Sequence, residues 1–201
     1  MEYEVEAALE YQFRRAGSER PGFPSIVGSG PFSTVLHYDK SARRMEAGDV
    51  VVVDIGAEYG GYSADVTRTY PVSGKFSQRQ REIYQIVLDA QRAALAQVKP
   101  GATIGEVHRA AMAYIQSKGY EKNFIHGTSH HIGLEVHDVG STARALEPNM
   151  VITVEPGIYI PEEQLGIRIE DDVLVTPAGY RMLSPFPREI SEIEALMQKR
   201  R

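Results

Sequence analysis

The hydrophobic and polar positions alternate between two periods along the chain. Val50, Val51, Val52 and Val53 form an unbroken β-branched run that stops at Asp54, and a second run, Val151 to Val154, stops at Glu155. β-Branched runs of this length are strand-sized and predict strands. Between and before them the apolar residues recur at helical spacing. Residues 4–17 and 106–119 each predict a helix, and residues 77–99 predict a longer one, with Ile83, Ile86, Val87, Ala90, Ala94 and Leu95 on one face. That helix should stop at Pro100-Gly101, because proline cannot continue it. Residues 20–30 are rich in proline and glycine and predict a loop leading to a strand at His37. The tail, 191–201, predicts a short helix that packs Ile193, Leu196 and Met197 and carries basic residues at its end, as the helix dipole favours.

These elements repeat. The segment 45–70 resembles 146–175: each has an acidic turn, a β-branched strand ending in a carboxylate, a turn, and a return to a second carboxylate. The helices at 4–17 and 106–119 keep nearly the same offset, and a histidine followed closely by aspartate comes after each, at His37 and His137. The pattern predicts one α+β domain over 1–201, built from similar halves at roughly 1–74 and 75–185. The helix at 77–99 has no counterpart before Met1, so the expectation is a truncated or minimal first half, whose uncovered apolar surface self-association would bury.

Composition narrows the classes. The chain has 201 residues, of which 42% are hydrophobic and 24% charged, as in ordinary globular proteins. A formal charge of −5 provides no basic stripe for nucleic acid. The apolar runs are strand-sized, so no membrane association is expected. The acidic start lacks the pattern of a signal peptide. With no cysteine, thiolate chemistry and cysteine-based zinc sites are excluded, and a cytoplasmic enzyme or binding domain is the default.

Carboxylates make the case for chemistry. Aspartate is a poor strand residue, and these close strands. Pairing Asp54 with Asp65 centres a hairpin turn on Tyr59 and Gly60. Pairing Glu155 with Glu170 centres another on Glu162 and Glu163; both spots have turn residues. Residues directly opposite in such hairpins have Cβ atoms roughly 4.5–5.5 Å apart. Two carboxylates so close force one to protonate unless a cation intervenes, and four make the demand greater. Paired divalent ions about 3.5–4 Å apart are the simplest answer. Four of the six histidines lie in "HGTSHHIGLEVHD", 126–138, where an imidazole ligand and an acid–base relay are both to be sought. Oxygen ligation with one imidazole suits manganese, cobalt, iron or zinc.

The strings "VVVDIGAEYGGYSADVTRTYPV", "HGTSHHIGLEVHDVG", "TVEPGIYI" and "GIRIEDDVLVT" resemble the pita-bread metallopeptidases, the creatinase and methionine aminopeptidase superfamily, over essentially the whole chain. Within it the pattern is most similar to bacterial Xaa-Pro aminopeptidases. "IRIEDD" differs from the methionine aminopeptidase branch, and Ser129 stands where prolidases usually have glycine. The resemblance implies a pita-bread fold, a curved antiparallel sheet covered by helices. It implies two metal ions, manganese foremost, held by Asp54, Asp65, His130, Glu155 and Glu170, with Asp65 and Glu170 bridging. It makes His126 and His137 groups that contact substrate or shuttle protons, and His37 a residue of the proline-side pocket. Tyr159 and Arg168 form a relay tied to the ligands.

The expected reaction is release of the first residue from peptides with proline second, by a hydroxide shared between two metals, with Glu155 accepting its proton. A dipeptidase or a non-catalytic protein-binding module are the alternatives. Elsewhere, His108 is expected on a solvated helix face, His131 as a packing or rim residue, and Asp171 and Asp172 as solvated strand ends or partners of Arg168.

Overall fold

The computed structural model describes residues 1–198. The valine run becomes β3 (Val50–Ile55), the central strand of a three-stranded antiparallel sheet. Its neighbours are β2 (Ile26–Ser29) and β6 (Val66–Pro71). Its four valines are all buried, because the two faces of the strand meet different apolar groups. Val51 and Val53 pack with Val27 and with Val5 and Leu9 of α1 (Glu2–Arg15), whereas Val50 joins the main core. Asp54 therefore shares a strand face with Val50 and Val52, away from α1. Within residues 20–30, expected as loop, lie β1 (Arg20–Pro21) and β2. Both are edge strands, where proline is tolerated because one side of the backbone has no ladder partner to donate to. His37, in turn, sits in a turn rather than a strand.

Toward the hairpin tip, β4 (Ala57–Tyr59) and β5 (Tyr62–Ser63) pair and continue β3 and β6 outward. Asp54 faces Thr67, so the register differs by two residues from the expected one and the turn centres on Gly60 and Gly61, both with positive φ. A shift of two leaves every side chain on its original face. Asp65 thus stays on the side of Asp54, as a diagonal rather than a direct neighbour.

The second carboxylate hairpin has the expected register. Val154 of β7 (Val151–Val154) pairs with Asp171 of β10 (Asp171–Thr176), and Gly157 of β8 (Gly157–Ile160) pairs with Arg168 of β9 (Leu165–Arg168). Glu155 and Glu170 occupy the matching positions between these paired stretches. β11 (Gly179–Met182) extends this sheet on the far side of β10.

Two helices bury the back of the strands. α2 (Gln78–Leu95) begins with a Ser77–Gln80 capping box and α3 (Ile104–Ser117) with a Thr103–Glu106 one. Ile83, Tyr84, Val87 and Leu88 of α2 are fully buried, each such side chain worth roughly 1.5–3 kcal/mol of transfer free energy. α4 (Ile190–Gln198) packs Ile193, while Leu196, expected on the packed side, is 43% exposed. The basic end expected of this helix, Lys199 to Arg201, lies outside the described residues. No described helix is long and apolar enough to cross a membrane.

Two features fix the seam where the hairpins meet. Thr67 O accepts from Glu170 N at 3.0 Å, and the Thr69 hydroxyl both donates to Arg168 O at 3.0 Å and accepts from Arg168 N at 3.1 Å. β9 also presses its Gly166 against a short 3₁₀ segment, where a Cβ would collide with the Ser33 carbonyl oxygen. Gly166→Ala must push that backbone away, and overpacking of this kind costs about 1–3 kcal/mol. Thermal unfolding should show a lowered Tm with unchanged secondary structure; an unaltered Tm would mean the segment yields freely.

Candidate metal centre

At the front of the seam the strand ends converge. Asp54, Asp65, His130, Glu155 and Glu170 all line one cavity of about 230 Å³, together with His37 and His137. Asp65, His130 and Glu170 offer ligand atoms that lie within 4.8 Å of one another. His130 Nε2 is 3.5 Å from Asp65 Oδ2 and 3.4 Å from Glu155 Oε1. Its other nitrogen, Nδ1, lies 3.0 Å from the His131 carbonyl and must donate to it. With that bond made, a neutral His130 turns its Nε2 lone pair toward carboxyl oxygens, an arrangement that a cation or a shared proton between them satisfies.

The carboxylates make the same demand. Asp54 Oδ1 and Asp65 Oδ1 are buried with no hydrogen-bond partner among the described residues. Burial, reinforced by the Asp54 and Asp172 charges, pushes the Asp65 carboxyl up to about 9. Burial raises Glu155 to about 8 despite His130, and lifts Glu170 well above the usual range with help from Asp65 and Glu155. Orphaned oxygens, an imidazole lone pair and mutual repulsion are the chemistry of an oxygen-rich divalent-metal site, and these residues fit one.

Positively charged and polar groups hold the rim. Arg168, buried, places one guanidinium nitrogen 2.7 Å from Asp54 Oδ2 and another 2.9 Å from the Tyr159 hydroxyl; Nε donates to Thr67 Oγ1. The Thr67 hydroxyl in turn donates to Glu170 Oε2 at 2.6 Å. Tyr159, raised to about 12 by burial, sits 2.9 Å from His126 Nε2. His126 Nδ1 is 2.7 Å from Gly127 O, to which it donates, so Nε2 accepts from Tyr159. Burial, then the Arg168 charge, lowers the His126 imidazole to about 4. It is thus neutral with a fixed proton, 3.7 Å from Glu155 Oε2. His137 is exposed and stands edge-on over His130, the ring centroids 4.4 Å apart.

Several neighbours are invisible to sequence pattern. Phe23, Pro24, Ile26 and Val136 give the cavity an apolar wall; only the Pro-Gly-Phe-Pro string hints at it. His108 is not a solvated helix residue: its ring is half-buried, packs on Phe124 and lies 2.9 Å from the Thr128 hydroxyl. Helical spacing is blind to a loop that folds back over the helix. Asp171 and Asp172 are buried rather than solvated. Asp171 is bonded to Arg68, not Arg168, while Asp172 accepts from Asp65 N and is raised to about 7 by burial. His131 forms an isolated bridge with Ile152, and its Nε2 is buried, as a packing residue would be.

A family model described as metallopeptidase family M24 matches residues 1–177. The chain belongs to that family. Its architecture is the family's pita-bread fold, α+β with small antiparallel sheets. Among relatives, the Xaa-Pro aminopeptidase of Escherichia coli is 42% identical, over 98% of this chain and 52% of its own length. The Xaa-Pro dipeptidase of Pyrococcus furiosus is 44% identical, over 94% of this chain and 55% of its own length. Of solved structures, the Pseudomonas aeruginosa aminopeptidase PepP matches with TM-score 0.93 and 38% identity, over 98% of this chain and 52% of that one. The prolidase from Pyrococcus furiosus matches with TM-score 0.89 and 44% identity, over 93% of this chain and 56% of that one. The chain spans about half the length of the curated relatives it matches.

Raised carboxyl values carry a sign. Groups protonated more readily in the fold than unfolded stabilise it fully below about pH 4 and lose that contribution as pH climbs through 8 and 9. Calorimetry of the metal-free protein should therefore show Tm falling between about pH 6 and 9, with the stabilisation by added manganese growing over the same range. A flat difference would contradict this repulsion. His130→Ala should lower metal occupancy, read by elemental analysis, by roughly tenfold or more.

Proposed function

We propose that this chain carries a dinuclear metal-dependent exopeptidase centre that releases the first residue from Xaa-Pro peptides. The observation that supports it is the single cavity in which five ligand-type side chains face an apolar wall of Phe23, Pro24, Ile26 and Val136. Two divalent ions, manganese foremost, would be held by Asp54, Asp65, His130, Glu155 and Glu170. When bound, such ions supply a water nucleophile at neutral pH and polarise a carbonyl oxygen.

The protein's own groups would then act as follows. Glu155, between His130 and His126, accepts the proton released by the attacking water. His137, exposed beside the ligands, donates to the oxygen on which charge develops. Neutral His126, its two nitrogens taken by Gly127 and Tyr159, stands at the Glu155 side and would meet the peptide through ring contact. Arg168 keeps Asp54 turned inward, since losing the ion pair would leave a buried charge unbalanced. The apolar wall selects proline, whose rigid ring packs there and whose nitrogen demands no hydrogen-bond acceptor. His37 closes the proline end of the cavity.

Both aminopeptidases and dipeptidases occur among the relatives, so chain length of the substrate is the discriminating variable. Ser129, which lines the neighbouring cavity wall, favours the aminopeptidase reading. Chelator-stripped protein should be inactive and regain Xaa-Pro cleavage on reloading with manganese, and it should prefer a tripeptide or longer to a dipeptide. Activity that survives exhaustive chelation would sink the metal model, and strict dipeptide preference would favour the dipeptidase. His137→Ala should cut kcat about 10²–10³-fold with metal retained, the range seen on removing one oxyanion donor; equal loss of metal would reassign it as a ligand.

A further inference from the structure

A second groove, of about 580 Å³, runs along the N-terminal part of α3 outside the metal-ligand cavity. Ile104, Met112, Phe124 and Ile125 make its walls apolar, and His108 adds one polar ring. A third cavity, of about 270 Å³, lies between the two: it shares Asp54, His130 and Glu155 with the ligand cavity, and His126, Gly127 and Ser129 with the groove. Ser129 is 8% exposed and its hydroxyl has no partner among the described residues. A buried hydroxyl on the wall between two cavities, left unbonded, is a group awaiting a ligand.

A Cβ at Gly127 would meet nothing within 4 Å, so there is open space beside the residue that lines both the groove and the intervening cavity. Distance sets which part of a peptide arrives. Glu155 Oε2 lies 3.7 Å from His126 Nδ1, and the His126 ring lies 5.2 Å from that of Phe124. An extended residue covers ~3.3–3.6 Å, so the Phe124 wall of the groove lies within about three residues' reach of Glu155. His108 is equipped to meet a backbone there. Thr128 Oγ1 lies 2.9 Å from Nδ1, which leaves Nε2 as the ring nitrogen available to a peptide backbone group.

We propose that this groove is a subsite for the third and fourth residues of a peptide substrate, taking an apolar side chain between Phe124, Ile125 and Met112, with His108 and Ser129 bonding the peptide backbone. The inference rests on the reading of the adjoining cavity as an Xaa-Pro peptidase centre, and extends it to substrates longer than dipeptides.

Two measurements on the full chain test it, the first with manganese bound and the second with diamagnetic zinc in its place, because Mn2+ would broaden a ring signal this near beyond detection. The first compares kcat/KM for Ala-Pro-Leu-Leu and Ala-Pro-Asp-Asp, in wild type and Ile125→Asp. Ile125 is 59% exposed, so the fold does not depend on it. The wild-type preference for the leucine peptide should fall about tenfold in the variant, the scale of one lost apolar side-chain contact. The second follows the His108 ring signal by NMR while Pro-Leu-Leu is added; it should shift in wild type, and need a higher peptide concentration in Ile125→Asp. An unchanged preference ratio, or a His108 signal that stays put at saturating peptide, overturns the subsite. Failure of the peptidase reading looks different: no Xaa-Pro peptide is cleaved, while Pro-Leu-Leu still moves the His108 signal.

Discussion

Everything in this molecule accommodates one electrostatic demand: four carboxylates and an imidazole lone pair converge on a cavity of about 230 Å³. Left alone, they repel, and burial removes the water that would soften the repulsion. The fold answers in two ways. It presents orphaned oxygens and a lone pair that a cation would satisfy, and it places a buried guanidinium at the edge. Arg168 is the hub of that edge, bonding Asp54, Tyr159 and Thr67 at once, and through the latter two reaching His126 and Glu170. One arginine thus sets the orientation of groups from both hairpins.

The hydrogen-bond directions carry consequences for the histidines. His130 spends Nδ1 on a carbonyl and keeps Nε2 for the carboxylates. His126 has both nitrogens engaged within the protein, by Gly127 and Tyr159, and is held neutral. His137 is the exposed one of the three. Three rings from one short loop stand in three different settings because their backbone neighbours differ, not because the side chains do.

Much of this is legible from residues alone, and the failures have physical causes. The β3 strand is readable because burial on both faces leaves a continuous valine run. The second hairpin's register comes out right because Pro161 to Gln164 offers one plausible turn, closed by Gln164 in the left-handed region. The first is displaced by two, since Tyr59, Gly60 and Gly61 permit more than one turn; the face survives because side chains alternate with period two. β2 is hidden by flanking prolines and glycines, although it pairs with β3 next to Asp54. The environment of His108, and that of Asp171 and Asp172, depends on segments distant in sequence that fold over them. Periodicity holds no record of such contacts.

The seam between the hairpins has a further meaning. Asp54 and Asp65 come from the first hairpin, while His130, Glu155 and Glu170 come from the later half of the chain, and Thr67, Thr69 and Arg168 stitch the two edges together. Neither hairpin by itself offers more than two of these carboxylates to a cation. A cation held there would therefore act as a long-range cross-link, fastening together pieces of chain roughly a hundred residues apart and adding its binding free energy to the stability of the fold.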